Sequence, residues 1–193
     1  MADLLATPED LASALQRDLD TASATLALEA ATAIVQAAAG QRIVRVVDDS
    51  EVVYGSTDRV LMPRQRPIVS VSSVTYNGSL LSAGTASGTW RLTPSGIWRE
   101  LGWSDCAWEP APATTVVYTH GYAPGDQMLQ LARAVTLSVA RGMFTNPDGT
   151  VREAIDDYSV QYAEAEAAMD AAPSLVARLR KQYGLKAAMV RIM

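Results

Sequence analysis

The spacing of apolar residues changes twice along this 193-residue sequence, and these two changes restrict the possible folds more than any other feature. Before Gln41, apolar residues recur every three or four positions, as at Leu11 and Leu15, which is typical of amphipathic helices. From Gln41 to about Tyr122 they alternate as in β-strands, and after Pro124 the helical spacing returns. The sequence therefore predicts helices at both ends with an antiparallel β module between them.

The two predicted N-terminal helices have recognisable ends. Thr7 is a suitable N-cap, and Pro8 favours the first turn of a helix. A second helix is predicted over residues 21–39, with Gly40 as its C-terminal stop. The core-facing stripe of this second helix is expected to consist of Leu26, Ala30, Ile34, Val35 and Ala38.

The middle of the chain is predicted to form about five to seven short strands. Residues 43–47 and 51–54 have the alternation of two strands, with residues 48–50 as the turn that joins them. Asn77-Gly78 is a strong hairpin signal, because both residues readily adopt the positive φ that a tight two-residue turn requires. These segments indicate an antiparallel module made of hairpins.

Two more helices are predicted after the β module. The first extends from Asp126, a plausible N-cap, to about Met143 and carries an apolar stripe. The last begins at Pro173 and closes near Gly184. Both indicate that the helical part of the fold resumes after the β module.

Two segments near the C-terminus are candidates for contacts with other subunits. Tyr158, Val160 and Tyr162 alternate as in a strand, which we expect to pair with a neighbouring subunit or partner edge. Residues 185–193 are too few to bury themselves, yet they combine apolar and basic side chains, which favours docking on a partner. The predicted partner-binding residues of this tail are Leu185, Lys186, Met189, Val190, Arg191, Ile192 and Met193.

These elements together predict an α+β fold that is mainly helical. We expect a helical bundle of two N-terminal helices, one central helix and one C-terminal helix, with an inserted antiparallel β module and an extended C-terminal tail. The body comprises residues 1–40 and 123–184, the insertion residues 41–122, and the tail residues 185–193.

The charge distribution limits the possible partners. The net charge is −5, and residues 126–170 hold eight acids and three bases, whereas residues 171–193 hold five bases and no acid. An acidic body argues against general nucleic-acid binding, which needs a cationic face. The most apolar run, residues 26–39, is interrupted by Glu29 and Gln36, so we expect no membrane contact.

The sequence offers little catalytic chemistry. The one histidine, His120, could be combined with Ser104 and Asp105 into a triad, but no nucleophile motif surrounds the serine. The one cysteine, Cys106, excludes an intrachain disulfide. We therefore predict no catalytic residue and no cofactor.

A metal site is also not expected. Glu153, Asp156 and Asp157 could offer oxygen ligands, but the glycine-centred loop that presents alternating ligands to a cation is missing around them. A solvated acidic face is the more common explanation for such a run. We therefore predict no bound metal.

Four tryptophans, Trp90, Trp98, Trp103 and Trp108, lie close together in the β module. Such a cluster can form a core, an interface anchor or a binding platform for carbohydrate or bases. We expect the core role first and the interface role second.

Several segments together resemble the head-to-tail adaptor (connector) proteins of long-tailed bacteriophages, especially those of actinobacterial phages. The C-terminal segments that carry the resemblance are residues 119–124, 146–149 and 153–162. In the N-terminal half, residues 5–11 and the alanine-rich helix ending at residues 40–41 are similar to the same group. The long insertion with four tryptophans departs from the family pattern.

The resemblance implies a virion protein of the neck, made in the host cytoplasm. Such adaptors form a homo-oligomeric ring, typically of about twelve subunits, beneath the portal protein. The ring extends the channel through which genomic DNA passes without sequence-specific binding, and it offers a docking face to a tail-terminator or second neck protein. The tail, residues 185–193, corresponds to the segment that reaches the portal.

Three other interpretations stay open from the sequence, of which the least favoured is a small hydrolase that uses His120. The first is a tail-terminator or neck protein of the same joint, which usually has a core dominated by sheet. The second is a carbohydrate- or peptide-binding module that uses the tryptophan cluster.

Overall fold

The computed structural model describes residues 4–54, 58–104, 113–145, 152–155, 158–161 and 173–184. The chain divides into two compact units. The first, which we call the helical unit, comprises Met1–Val44 and Ala123–Met193; the second, the sheet unit, comprises Arg45–Tyr122.

The helical unit begins with α1 (Pro8–Leu15), which has a complete capping box. The Asp10 backbone N–H donates to the Thr7 hydroxyl at 3.2 Å, and the Thr7 backbone N–H donates to the Asp10 carboxylate at 3.0 Å. These bonds satisfy two of the backbone donors that the first turn of a helix leaves unpaired. The prediction that Thr7 caps this helix is confirmed.

The second helix, α2 (Thr21–Ala39), has the predicted extent. The Asp20 carboxylate accepts the Ser23 N–H at 2.9 Å, and Gly40 ends the helix at a positive φ of 76°. The predicted core stripe is partly wrong, because Leu26 and Ala30 are exposed. Alanines lie on every face of α2, so their pattern alone does not fix the rotation of the helix. The buried face consists of Ala24, Leu28, Ala31, Thr32, Val35 and Ala39.

Two more helices pack against α2. Helix α3 (Gln130–Thr145) follows a single 3-10 turn, Gln127–Leu129, whose N-cap is Asp126 as predicted. Helix α4 (Pro173–Tyr183) contacts the end of α2, where the Arg180 side chain donates to the Ala38 carbonyl at 3.3 Å. The described part of the helical unit is therefore centred on α2.

The largest sheet of the sheet unit has four antiparallel strands in the order β1-β7-β3-β4. The central strand β7 pairs along its length with β1 on one side and β3 on the other. The hairpin predicted at Asn77-Gly78 is confirmed, since it joins β3 to β4 with both residues at positive φ. The strands are β1 (Val46–Tyr54), β3 (Ile68–Tyr76), β4 (Ser79–Leu81) and β7 (Ala113–His120).

A second, three-stranded antiparallel sheet has the order β2-β6-β5. Its strands are β2 (Val60–Leu61), β5 (Trp90–Thr93) and β6 (Gly96–Arg99). The two sheets share one core, whose fully buried residues are Val74, Ile97, Trp103, Val116 and Tyr118, with Leu61 and Trp90 nearly so. This cluster gives the sheet unit a hydrophobic core of its own.

Strand β1 corrects the prediction of two strands separated by a turn. It is one strand of nine residues, and the pairing with β7 shifts between Val46 and Asp49. Asp48 lies at this shift with a φ of 51°. The acidic signal at residues 48–50 therefore marks a β-bulge, which bends a strand without ending it.

The last two strands, β8 (Arg152–Ile155) and β9 (Tyr158–Gln161), form an antiparallel pair in the helical unit. The predicted strand at residues 158–162 is therefore not isolated within its own chain. Its last predicted residue, Tyr162, lies outside the described residues.

The predicted mainly helical bundle is wrong. The described residues hold four helices, but about 30% of them lie in strands, and antiparallel sheets build a whole compact unit. The physical reason is that β1, β3 and β7 are eight or nine residues long and enclose a core, whereas the sequence indicated short strands inserted into a helical body.

Helix α2, with 19 residues, has the length and composition of a membrane-crossing helix, as core helices of soluble proteins also do. Its face with Leu28 and Val35 is buried within the helical unit. The expectation of no membrane contact stays a prediction.

Candidate functional site

The central feature of the sheet unit is a group of four polar side chains that join β1 to β7, which we call the β1–β7 polar cluster: Asp49, Glu51, Tyr118 and His120. His120 Nε2 lies 3.0 Å from Asp49 Oδ2. The His120 side chain is fully buried, whereas that of Asp49 is 30% exposed. His120 therefore lies inside the sheet unit, and Asp49 reaches its surface.

The second pair of the cluster is Tyr118 and Glu51. The Tyr118 hydroxyl donates to Glu51 Oε2 at 2.5 Å, and Glu51 also accepts the backbone N–H of Arg64 at 3.0 Å. Burial, with the nearby Glu51 carboxylate as a further cause, raises the pKa of Tyr118 well above its ordinary value of about 10. Tyr118 therefore remains a protonated donor across the physiological range.

The geometry of the cluster favours a structural role over a catalytic one. The Tyr118 and His120 rings lie 5.2 Å apart. Tyr118 lies opposite Asp49 in the pairing of β7 with β1, so Asp49–His120 and Glu51–Tyr118 are diagonal contacts across the two strands. Asp49, not Asp105, is the partner of His120 Nε2, and Asp105 lies outside the described residues. The arrangement fixes the register of two strands but presents no nucleophile.

No group of three or more histidine, cysteine, aspartate or glutamate side chains that could hold a metal ion occurs in the described parts of the chain. Cys106, Asp156 and Asp157 lie outside those parts, and nothing is said of the Glu153 side chain.

The described tryptophans contribute mainly to the core. Trp103 is fully buried and donates its indole N–H to the Arg59 and Ile97 carbonyls at 3.1 and 3.2 Å. Trp90 is also buried, and Trp98 is half-buried with the Arg91 guanidinium 4.2 Å from its ring centre. A buried indole offers no face to a ligand, so Trp90 and Trp103 do not contribute to an open platform, and Arg91 lies over the ring of Trp98. Trp108 lies outside the described residues.

Each unit has surface cavities, but none of the three described next is lined by His120. One of about 510 Å³ in the helical unit is almost entirely apolar and lies between α2 and α3. Another of about 240 Å³ lies where the Asp10–Arg133 ion pair, 2.6 Å long, joins α1 to α3. A third of about 480 Å³ in the sheet unit is lined by residues 66–68 and 92–96. The first cavity is lined by Ser23, Leu26, Ala27, Ala30, Met143 and Phe144.

Large apolar side chains are exposed on both units, most of them on the sheet unit. Leu26 on α2 is 69% exposed. On β1, Val52 and Tyr54 are 53% and 72% exposed, and Leu80 on β4 is 72% exposed. Single exposed apolar residues are common on protein surfaces, but neighbouring ones, such as Val52 and Tyr54 on one face of β1, are typical of surfaces that contact other proteins.

The residues that the sequence predicted as partner contacts are only partly described. Tyr158 and Val160 lie on β9, where they pair with Ile155 and Glu153 of β8. Residues 185–193 lie outside the described residues, so their role as a partner-binding tail stays a prediction.

Sequence reasoning missed the β1–β7 polar cluster. The signal was present, because Asp49 and Glu51 are two residues apart, as are Tyr118 and His120. Residues two apart lie on one face of a strand, and diagonal neighbours on paired strands are within reach of long side chains. The interpretation of residues 48–50 as a turn hid this match.

No protein-family model matches the chain. The comparison with curated proteins also gives no match. Among solved structures, the chain is similar to a chain of the structure titled "Virion of native gene transfer agent (GTA) particle". The identity is 16%, the match covers 84% of this chain and 78% of that chain, and the TM-score is 0.38.

Proposed function

We propose that this chain is a structural, non-catalytic subunit of a phage-like virion, which acts as a head-to-tail adaptor. In this role, copies of the chain form a ring beneath the portal, extend the DNA channel and provide the attachment surface for the tail. The ring would contain about twelve subunits, as is typical of the family that the sequence resembles.

The observation that carries the proposal is the contrast between polar and apolar side chains in the described residues. In the sheet unit, the titratable side chains of His120 and Tyr118 are buried, and each is paired with a carboxylate. Large apolar side chains such as Leu26, Val52 and Tyr54 are instead exposed. A surface of this composition is suited to contacts between proteins more than to the conversion of a small molecule.

The charge balance supports a channel role. Residues 126–170 carry eight acids and three bases, and the whole chain has a net charge of −5. A negatively charged channel wall repels phosphate, so DNA would slide along it without adhering. Residues 171–193 differ from this acidic body, because they hold five bases and no acid.

A second candidate is a tail-terminator or neck protein of the same joint. The observation that favours it is the strand content of about 30%, because such proteins usually have cores dominated by sheet. The two candidates differ in partner: an adaptor binds the portal directly, whereas a tail-terminator binds the tail tube.

The test is to mix the full chain with portal rings and, separately, with tail tubes, and to record complexes by native mass spectrometry and negative-stain imaging. An adaptor forms a ring on the portal. Binding to tail tubes alone supports the second candidate, and binding to neither overturns both.

Substitutions in the tail make the same assay sharper. Ile192→Asp replaces one of its apolar side chains with a charge, so we expect it to weaken portal binding by about tenfold or more. The matched control is Ala187→Asp, which adds the same charge where only a methyl group is lost. Equal portal affinity for the wild type and both variants would contradict the assignment of residues 185–193 to portal binding.

A further inference from the structure

The outer edge of β1 is open in the described part of the chain. Strand β1 ends the four-stranded sheet and pairs there with β7 only. An edge strand of nine residues presents a row of backbone N–H and C=O groups to which another strand can bind.

The C-terminal half of β1 is the regular part of this edge. The bulge at Asp48 interrupts the first half, whereas Ser50–Tyr54 pair without a shift to Val117–Ala113 of β7. A strand that adds at residues 50–54 therefore meets an unbroken edge.

The sheet face at this edge is apolar and uncovered. Val52 and Tyr54 are exposed, and both lie on the same face because side chains alternate along a strand. An added strand would place its own side chains beside these two, and aromatic and β-branched neighbours stabilise such pairs.

The β8–β9 hairpin is a candidate for the strand that pairs with this edge. Each strand has four residues, and among the described elements each makes its main contacts with the other. A two-stranded hairpin alone is at best marginally stable in water, and a third strand or a packed face is needed to stabilise it. Among the described residues, therefore, the hairpin is part of no larger sheet, and the outer edge of β1 has no paired strand.

Charge selects β9 over a second copy of β1 as the occupant. Strand β1 carries Asp48, Asp49 and Glu51, so two β1 edges would bring like charges together. Strand β9 contains no charged residue, and Tyr158 and Val160 alternate along it. A neutral strand with apolar residues at alternate positions fits this edge without repulsion.

We propose that β9 of one copy adds to the outer edge of β1, at residues 50–54, in a second copy of the chain. The four-stranded sheet of the second copy is thereby extended by the hairpin of the first. The contact joins two different surfaces, so it is heterologous, and such contacts close into rings. This inference rests on the proposed function, because it names the contact through which subunits form the ring.

The test uses the full chain, with and without portal rings. Val52→Lys and Val160→Lys each place a charge on one side of the contact, and lysine is a residue that natural edge strands use against pairing. We expect each variant to weaken association by about tenfold or more, as measured by sedimentation velocity. Combining Val52→Lys with Val160→Glu in one chain should restore association, since each lysine then meets a glutamate of the neighbour.

Two controls separate this contact from general effects. Leu80→Lys changes an equally exposed apolar residue on β4, the opposite edge of the same sheet, and should leave association unchanged. Tyr54→Lys is a second variant at the proposed edge and should weaken association as Val52→Lys does. Circular dichroism checks that each variant is folded.

Hydrogen exchange identifies the segments that pair. Amides of residues 50–54 and 158–161 should become protected together as the protein concentration rises. Protection that does not depend on concentration would mean that the hairpin pairs within its own chain, which overturns the inference. Rings that form normally in Val52→Lys would overturn it while leaving the adaptor function intact, whereas a chain that binds neither itself nor the portal would refute both.

Discussion

The two units use their polar side chains differently. In the helical unit, the Asp10–Arg133 ion pair joins α1 to α3, but the capping contacts span only three residues, as between Thr7 and Asp10. In the sheet unit, the polar pairs join strands that are far apart in sequence: Asp49 and His120 are separated by 71 residues, and Glu51 and Tyr118 by 67. The capping contacts stabilise a single helix, whereas the pairs of the sheet unit join β1 to β7.

The two units also differ in the size of their buried side chains. Three of the six buried residues of α2 are alanines, with Leu28 and Val35 as its larger residues. The core of the sheet unit contains Trp103, Tyr118 and Ile97. The comparison indicates one unit stabilised by closely approaching helices and another by large side chains between sheets.

The largest expected effects come from emptying each core separately. Ile97 and Leu28 are both fully buried, so Ile97→Ala and Leu28→Ala should each cost about 3 kcal/mol in the unit concerned. All four tryptophans lie in residues 45–122, so their fluorescence follows the sheet unit, while far-ultraviolet circular dichroism is dominated by the helices. In urea, Ile97→Ala should shift the fluorescence transition and Leu28→Ala the dichroism transition.

The same experiment tests whether the two units unfold independently of each other. If either variant shifts both transitions equally, the two units unfold as one cooperative body. Wild-type curves recorded with both probes, together with the exposed variant Leu80→Ala, provide the baseline.

A smaller effect is expected within the three-stranded sheet, where β6 lies close to its neighbour β2. Gly96 has a φ of 139°, and a Cβ added there would lie 2.6 Å from the Leu61 carbonyl oxygen. Gly96→Ala should therefore cost about 2–3 kcal/mol by fluorescence-detected unfolding. Gly88→Ala is the matched control, because its φ is 84° but its surroundings are open, and about 1 kcal/mol is expected. Equal losses would show that backbone strain alone, and not the close approach, decides the effect.

The elements that could be predicted from the sequence are those set by neighbouring residues. Thr7, Gly40 and Asp126 end or begin helices where predicted, because capping depends on a few adjacent positions. The hairpin at Asn77-Gly78 was predictable for the same reason.

The features that were predicted wrongly depend on distant partners. The exposure of Leu26 follows from which face of α2 meets α3 and α4, and no local pattern in an alanine-rich helix determines that. The bulge at Asp48 exists because β7 pairs on both sides of it, and β7 lies about 70 residues further along the chain. The β1–β7 polar cluster was missed for the same reason.

The next prediction concerns the register-setting pair of the sheet unit. Tyr118 donates to Glu51, so Tyr118→Phe should cost about 1–2 kcal/mol at neutral pH. The pKa of Tyr118 is raised in the folded state, so above pH 10 the unfolded chain loses a proton that the folded chain retains. Stability from this group is therefore complete below about pH 10 and falls as the pH rises further.

Urea unfolding from neutral to alkaline pH measures this effect. The wild type should lose stability more steeply above pH 10 than Tyr118→Phe does, and Tyr54→Phe should behave as the wild type because it retains Tyr118. Parallel curves for the wild type and Tyr118→Phe would show that the raised pKa of Tyr118 contributes nothing to the pH dependence.

The smallest predicted effect concerns the capping contact between Thr7 and Asp10 at the start of α1. Thr7→Ala removes the hydroxyl that accepts the Asp10 N–H, so it should cost about 1 kcal/mol in the dichroism-detected transition of the helical unit. Thr7→Ser retains a capping hydroxyl and should lie close to the wild type. Because the capping bonds span only three residues, the loss should leave the fluorescence transition unchanged. A shift of that transition by Thr7→Ala would mean that a contact at the end of α1 stabilises the sheet unit, and the distinction between local and register-setting polar contacts would then fail.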